Sequence, residues 1–274
     1  MPAAPVWING SATQPLDPAE RGLAYGDGLF ETLRVRHGRP VLLEQHWQRL
    51  LRGCAKLDIR LDAFLLRSEL SAFLAGREHG VLKIIITRGA GGRGYLPPTG
   101  AEPTRLLSWH PEPAYPASWA GQGISAALCT RRLGDSPMLA GLKHLNRLEQ
   151  VLLRQELEQT GCAEALVCDA RGQVIEGVFS NVFMVAGGEL LTPAIDNAGV
   201  AGVMRAELLA QAPALGIPVR EVSLPADDFI RADALFFCNS VYGIWPVRDI
   251  AGRVFNETGA ITRRLQQALM PLFH

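Results

Sequence analysis

The chain has 274 residues, with 27 basic and 27 acidic side chains and 48% hydrophobic residues. That length is enough for one large core or two smaller ones, and two are expected. With no net charge and no block of like charge there is no field to draw nucleic acid or an acidic membrane surface, and neither is an expected partner. No apolar run is long enough to span a bilayer, and Met1-Pro2-Ala3-Ala4-Pro5 lacks the basic and hydrophobic regions of a signal peptide, so a cytoplasmic protein is expected. The five cysteines (Cys54, Cys129, Cys162, Cys168 and Cys238) never form C-x-x-C and read as small buried hydrophobes. Six scattered histidines show no metal-ligand spacing, and no metal is expected.

In chain order, Val6 to Asn9 and Thr32 to Arg36 read as strands punctuated by Gly and Pro. Leu43 to Leu57 and Leu61 to Gly76 have helical periods, and Val81 to Arg88 is a β-branched run suited to a buried strand. The prolines at 111, 113 and 116 remove donors and restrict their neighbours, which places a linker there. Beyond it, His144 to Thr160 reads as a helix ending at Gly161. Short strands follow over Ala165 to Asp169, Val174 to Glu176, Val182 to Val185 and Leu190 to Thr192, separated by Gly turns. A helix after Gly202, strands over Val219 to Ser223 and Ala234 to Cys238, and a helix over Ile261 to Met270 complete the chain. The fold class is therefore mixed α/β (α+β), with a small N-terminal domain over 1–112, a linker over 113–120 and a larger C-terminal domain over 121–274.

Gly89-Ala90-Gly91-Gly92-Arg93-Gly94 satisfies the dinucleotide pattern G-x-G-x-x-G and follows a strand. That pattern needs a helix after it to hold a pyrophosphate, whereas Tyr95-Leu96-Pro97-Pro98-Thr99-Gly100 follows. The segment reads instead as a mobile loop whose Arg93 can meet a substrate carboxylate with two parallel bonds.

Lysine is scarce: Lys56, Lys83 and Lys143 are the only three among the basic residues. Few side chains can therefore form a Schiff base. Lys56 and Lys83 have ordinary readings as solvated or snorkelling cations. Lys143 stands where a loop is expected to become an amphipathic helix.

The run Leu142-Lys143-His144-Leu145-Asn146-Arg147-Leu148-Glu149-Gln150 resembles the cofactor-lysine segment of the aminodeoxychorismate lyases. These are pyridoxal-phosphate enzymes of the fold type IV group, which also contains branched-chain and D-amino acid aminotransferases. Tyr25-Gly26-Asp27-Gly28-Leu29-Phe30-Glu31-Thr32 resembles the group's early signature, and His46-Trp47-Gln48-Arg49-Leu50 its arginine helix. Glu176 through Asn181, with Gly202-Val203-Met204-Arg205, resembles its cofactor clamp.

The resemblance implies pyridoxal 5'-phosphate on Lys143, in a cleft between two domains, and a homodimer. It implies Glu176 beside the pyridine nitrogen, where an anion keeps the ring protonated as an electron sink. For the phosphate it implies the amides of Val203 and Met204 at a helix start, the guanidinium of Arg49, and Asn239 with Ser240 as a further contact. Thr32 is implied in proton transfer and Tyr25, in the early signature, in binding the substrate; Arg93 on its loop, Arg34 and Arg88 are the candidates for the substrate carboxylates. The activity implied is conversion of 4-amino-4-deoxychorismate to 4-aminobenzoate and pyruvate in folate biosynthesis. A D-amino acid or branched-chain aminotransferase using the same cofactor site is the alternative.

Overall fold

The computed structural model describes residues 5–255 and 258–273. The chain divides into two compact units, one of Met1–Pro113 with Leu142–Asn146 and one of Ala114–Gly141 with Arg147–His274.

The first unit contains β1 (Val6–Ile8), α1 (Arg21–Tyr25), β2 (Gly28–Arg36), β3 (Arg39–Pro40), α2 (Leu43–Lys56), α3 (Ala63–Leu74), β4 (Gly80–Thr87) and β5 (Arg105–His110). Its sheet is antiparallel with strand order β1-β5-β4-β2-β3. Alternation along β2 buries Leu29, Glu31, Leu33 and Val35 on one face and leaves Phe30, Thr32 and Arg34 half-buried on the other. Helix α2 buries His46, Trp47, Leu50, Gly53 and Cys54, a stripe at helical spacing. A Cβ on Gly53 would come within 2.7 Å of Leu29 Cδ1, so the absence of a side chain there lets α2 lie close against β2.

Strand β2 begins at Gly28, four residues before the strand expected from the sequence. Gly28 pairs with Thr87 of β4, and a Cβ at Gly28 would meet Ile86 O at 2.4 Å. A glycine that reads as turn punctuation is here a close approach of two backbones. The helix expected from His144 begins only at Leu148. Phe30 donates its amide to Lys143 O and Leu145 donates to Gly28 O, so these backbone groups extend the pairing of β2 in place of a helical turn.

The second unit contains α4 (Ser118–Gln122), which falls largely inside the expected linker, and then β6 (Ile124–Leu133), α5 (Leu148–Thr160), β7 (Glu164–Asp169), β8 (Val174–Gly177), β9 (Asn181–Ala186) and β10 (Glu189–Pro193). They are followed by α6 (Val203–Ala214), β11 (Val219–Val222), α7 (Ala226–Arg231), β12 (Ala234–Asn239), β13 (Gly243–Ile250), β14 (Arg253–Val254) and α8 (Ala260–Phe273). Its mixed sheet runs β11-β10-β9-β12-β13-β6-β7-β8, with β14 beside β13. One core gathers Ile124, Leu166, Val182, Phe237 and Trp245; another sets Leu153 and Leu157 of α5 on Cys129, Val167 and Ile175. Cys54, Cys129, Cys168 and Cys238 are buried, Cys162 is half-buried, and all are free thiols. Burial pushes the Cys54 and Cys129 thiols up to about 12, which keeps them unreactive packing groups. Among the described residues no helix is long and apolar enough to cross a membrane, and no cluster of His, Cys, Asp or Glu suits a metal ion.

Candidate functional site

In the first unit, Lys143 sits in the extended segment against the start of β2, with its ammonium nitrogen 4.3 Å from the centroid of the Phe30 ring. A cation over a ring face is attracted by the ring's quadrupole, so the amine is presented on an apolar shelf. The Lys83 ammonium lies 5.4 Å from the same centroid, and Lys83 pairs across the sheet with Thr32. Two of the three lysines therefore flank one phenyl ring.

On the opposite face of β2, Glu31 is 1% exposed and grips Arg49 with both oxygens: Nε donates at 2.8 Å and Nη2 at 2.5 Å. His46 Nδ1 lies 2.6 Å from the same carboxylate. Burial alone would raise the Glu31 carboxyl, yet the charge and hydrogen bonds of Arg49, with those of His46, hold it down at about 2. Burial keeps the His46 imidazole below its usual value against the pull of Glu31, and the positive charges of Arg49 and Lys143 push it the same way. The guanidinium of Arg49 is thus fixed in orientation by an ionised carboxylate.

The segment between β4 and β5 opens no helix, and the two strands it joins are antiparallel, an arrangement unlike a dinucleotide loop. Buried Arg21 holds this segment: Nη1 donates to Gly94 O at 3.1 Å, Nη2 to Tyr95 O at 2.9 Å, and Nε to Asp27 at 2.9 Å. Arg93 is exposed on that segment. Tyr25 is also exposed, with the Arg21 guanidinium 4.8 Å from its ring and Tyr95 edge-on at 5.8 Å. Arg88 spends its donors on Asp27 and on the carbonyls of Leu57 and Asp58, and Arg34 pairs with Glu112. Burial would raise the Asp27 carboxyl, but its hydrogen bonds to Arg88 and Arg21 outweigh that and hold it low. Of the three arginines considered for substrate carboxylates, Arg93 alone stands outside these pairings.

In the second unit, Glu176 is buried at the end of β8 and its Oε2 accepts the Val200 amide at 2.9 Å. Asn181, the first residue of β9, donates its side-chain amide to Val200 O at 2.9 Å. One residue is thereby held at both its N–H and its C=O. Two residues on, Gly202 caps α6 without any side-chain hydrogen bond, so its first turn presents backbone donors and the positive end of the helix dipole at Val203 and Met204. A Cβ on Gly202 would fall 1.8 Å from Asn181 Oδ1, so only glycine permits that approach. Asn239 uses its carbonyl oxygen on the amides of Val241 and Tyr242 and its amide on Phe179 O at 3.4 Å, so it shapes the turn on which Ser240 stands.

The sequence motifs held Glu31 only within the early signature and Asn181 only as the end of the clamp segment, and Val200 and Glu164 lay outside them. Glu31 occupies a strand position that normally takes an apolar residue, and that polar interruption on the buried face was the available signal.

The model of the amino-transferase class IV family matches residues 28–250. Aminodeoxychorismate lyase of Vibrio harveyi is 34% identical over 265 residues, 95% of this chain and 97% of the relative. The crystal structure of 4-amino-4-deoxychorismate lyase from Pseudomonas aeruginosa superposes with a TM-score of 0.93 at 50% identity, covering 96% of this chain and 97% of the other. Escherichia coli branched-chain amino acid aminotransferase superposes with a TM-score of 0.87 at 27% identity, covering 99% and 95%.

Proposed function

Because the chain belongs to the amino-transferase class IV family, we propose that it is a pyridoxal-phosphate-dependent aminodeoxychorismate lyase that releases pyruvate from 4-amino-4-deoxychorismate and leaves 4-aminobenzoate. The supporting observation is Lys143, one of three lysines, held by its backbone against β2 with its amine over Phe30. Identity of 50% with a lyase of known structure, against 27% with an aminotransferase, favours the lyase over transamination.

The donor set suits the cofactor: a lysine amine, a buried carboxylate whose position is fixed by Val200, an uncapped helix start and a guanidinium locked on Glu31. Bound there, pyridoxal phosphate supplies an electron-withdrawing ring that takes up the pair of a breaking C–H bond. Lys143 would hold the cofactor, and its amine would also serve as the base for the proton on the amine-bearing carbon. Glu176 would supply the anion that keeps the ring nitrogen protonated. Val203, Met204, Ser240 and Arg49 bind the phosphate, with Asn239 fixing the turn around Ser240. Thr32, two residues from Phe30 on the same face of β2, assists the proton transfer. Arg93 pairs with a substrate carboxylate and Tyr25 lines the approach to it. Departure of the enolpyruvyl ether leaves an aromatic ring, so the elimination runs one way and the protein need only orient base and leaving group. In this reading the enzyme is a cytoplasmic homodimer.

The test is to supply aminodeoxychorismate without any keto-acid acceptor and follow pyruvate through lactate dehydrogenase. Pyruvate in step with 4-aminobenzoate is expected. Turnover that requires a keto acid would replace the lyase by an aminotransferase of branched-chain or D-amino acids.

A further inference from the structure

Among the buried ionisable groups that the mechanism does not use, Glu164 is hydrogen-bonded to residues that lie next to the cofactor-site residues in sequence. Glu164, the first residue of β7, is fully buried and ends among neutral donors: it accepts the amide of Ala165 at 3.0 Å, of Val178 at 2.8 Å and of Phe179 at 3.5 Å, and the Ser180 hydroxyl at 2.5 Å. Three of these four donors belong to the turn from Gly177 to Ser180, closed by Gly177 N to Ser180 O at 2.7 Å. A Cβ on Gly177 would sit 3.0 Å from the Glu164 carboxyl carbon and 2.4 Å from Ser180 Oγ, so the turn is wrapped closely on the carboxylate. No neighbouring strand supplies acceptors to Val178 and Phe179, and buried amides without partners are costly.

The residues that flank this turn are Glu176 and Asn181, which hold the N–H and C=O of Val200 from either side. Asn181 also fits against Gly202, the start of α6. The Phe179 carbonyl in the turn accepts from Asn239, which shapes the loop of Ser240. The spacing between Glu176 and Asn181 sets where Val200 and Gly202 lie, and the turn sets that spacing.

We propose that Glu164 is a positioning residue of the cofactor site: by fixing the turn 177–180 it sets, from one point, the carboxylate of Glu176 and the phosphate-binding start of α6. The inference rests on the reading of Glu176, Val203 and Met204 given under Proposed function. Glu164→Gln keeps the volume but replaces one acceptor oxygen by a donor facing the Ser180 hydroxyl and Phe179 amide, which opens the turn without leaving a cavity.

The experiment titrates pyridoxal phosphate into the apoprotein and follows binding by absorbance and by the rise in unfolding temperature. Wild type first shows whether the chain binds the cofactor on Lys143 at all; failure there removes the proposed function and the inference with it. Given binding, E164Q is expected to unfold as apoprotein within a few degrees of wild type. Its cofactor Kd should rise at least about tenfold, as for removal of other supporting partners, with a smaller cofactor-induced rise in unfolding temperature. The apparent pKa of the cofactor's visible band should move with it, which a merely structural role would leave in place. Ser180→Ala, which removes one leg of the same cradle, should do the same to a smaller degree and decides the matter if E164Q does not fold. A Kd and band pKa unchanged from wild type in E164Q, or in S180A where E164Q is unfolded, would overturn the proposal while leaving the proposed function intact.

Discussion

Glu31 and Glu164 are both fully buried glutamates, and they answer acid in opposite senses. Glu31 faces a guanidinium and an imidazole and titrates at about 2, below its ordinary 4.5. Its contribution to stability is present in full above the unfolded value and is lost as pH falls from there through 2, an effect of roughly 3 kcal/mol. Glu31→Gln should therefore lower the urea midpoint clearly at pH 7, because Arg49 is left without its anion. The gap to wild type should narrow towards pH 3, and a gap of constant width would show that the pair contributes no linked stability. Glu164 accepts only from amides and a hydroxyl, with Tyr242, Tyr115 and Cys129 as its titratable neighbours, and burial raises it to about 7. Here the sign reverses: the fold favours the protonated form, and that stability, complete below the unfolded value, is lost as pH rises through 7. Measured at pH 5 and pH 8, E164Q should lose ground to wild type at pH 5 and regain it at pH 8; equal differences at both would contradict the assignment. The rarity of lysine narrows the candidates to three and the resemblance of the segment 142–150 singles out Lys143, whereas nothing of the kind marks Glu164. Its role depends on a turn fourteen residues away in sequence reaching back to it.

At the scale of elements, the strongly periodic segments were legible and the close approaches were not. Helix α2 and strand β4 fall within a residue of their expected ends because their apolar spacing is regular. Strands β6 and β13 were missed: β6 carries Thr130, Arg131 and Arg132 in its second half and β13 contains Pro246, which mask both patterns. The extended stretch at Lys143 was read as helix since its side chains suit either form; only its pairing with Gly28 and Phe30 decides. Gly202 illustrates what local spacing conceals. It reads as helix-start punctuation, yet its missing side chain admits Asn181 at contact distance. Gly202→Ala should displace Asn181 or the first turn of α6, costing about 1–3 kcal/mol by urea denaturation and weakening cofactor binding. Gly121→Ala, with nothing within 4 Å of the added carbon, serves as the control and should change neither. A wild-type cofactor affinity in G202A would remove α6 from the phosphate site.

For the whole molecule, the mixed α/β class came from the helical and strand periods along the chain and the fold type IV assignment from four motifs in order, and superposition on a 50% identical lyase at a TM-score of 0.93 agrees. Composition contributed exclusions, since a neutral chain has no field for polyanions. Membership of residues 142–146 in the first unit was not legible, because that segment is separated in sequence from the strand it pairs with by more than a hundred residues. That return of the chain delivers Lys143 to the Phe30 shelf, where Lys83 also stands, so chemistry must distinguish the two amines. The most direct measurement reduces the yellow holoenzyme with borohydride and maps the modified peptide by mass spectrometry. The account predicts loss of the visible band and one pyridoxyl group on Lys143; a group on Lys83, or a protein that takes up no cofactor, would contradict it.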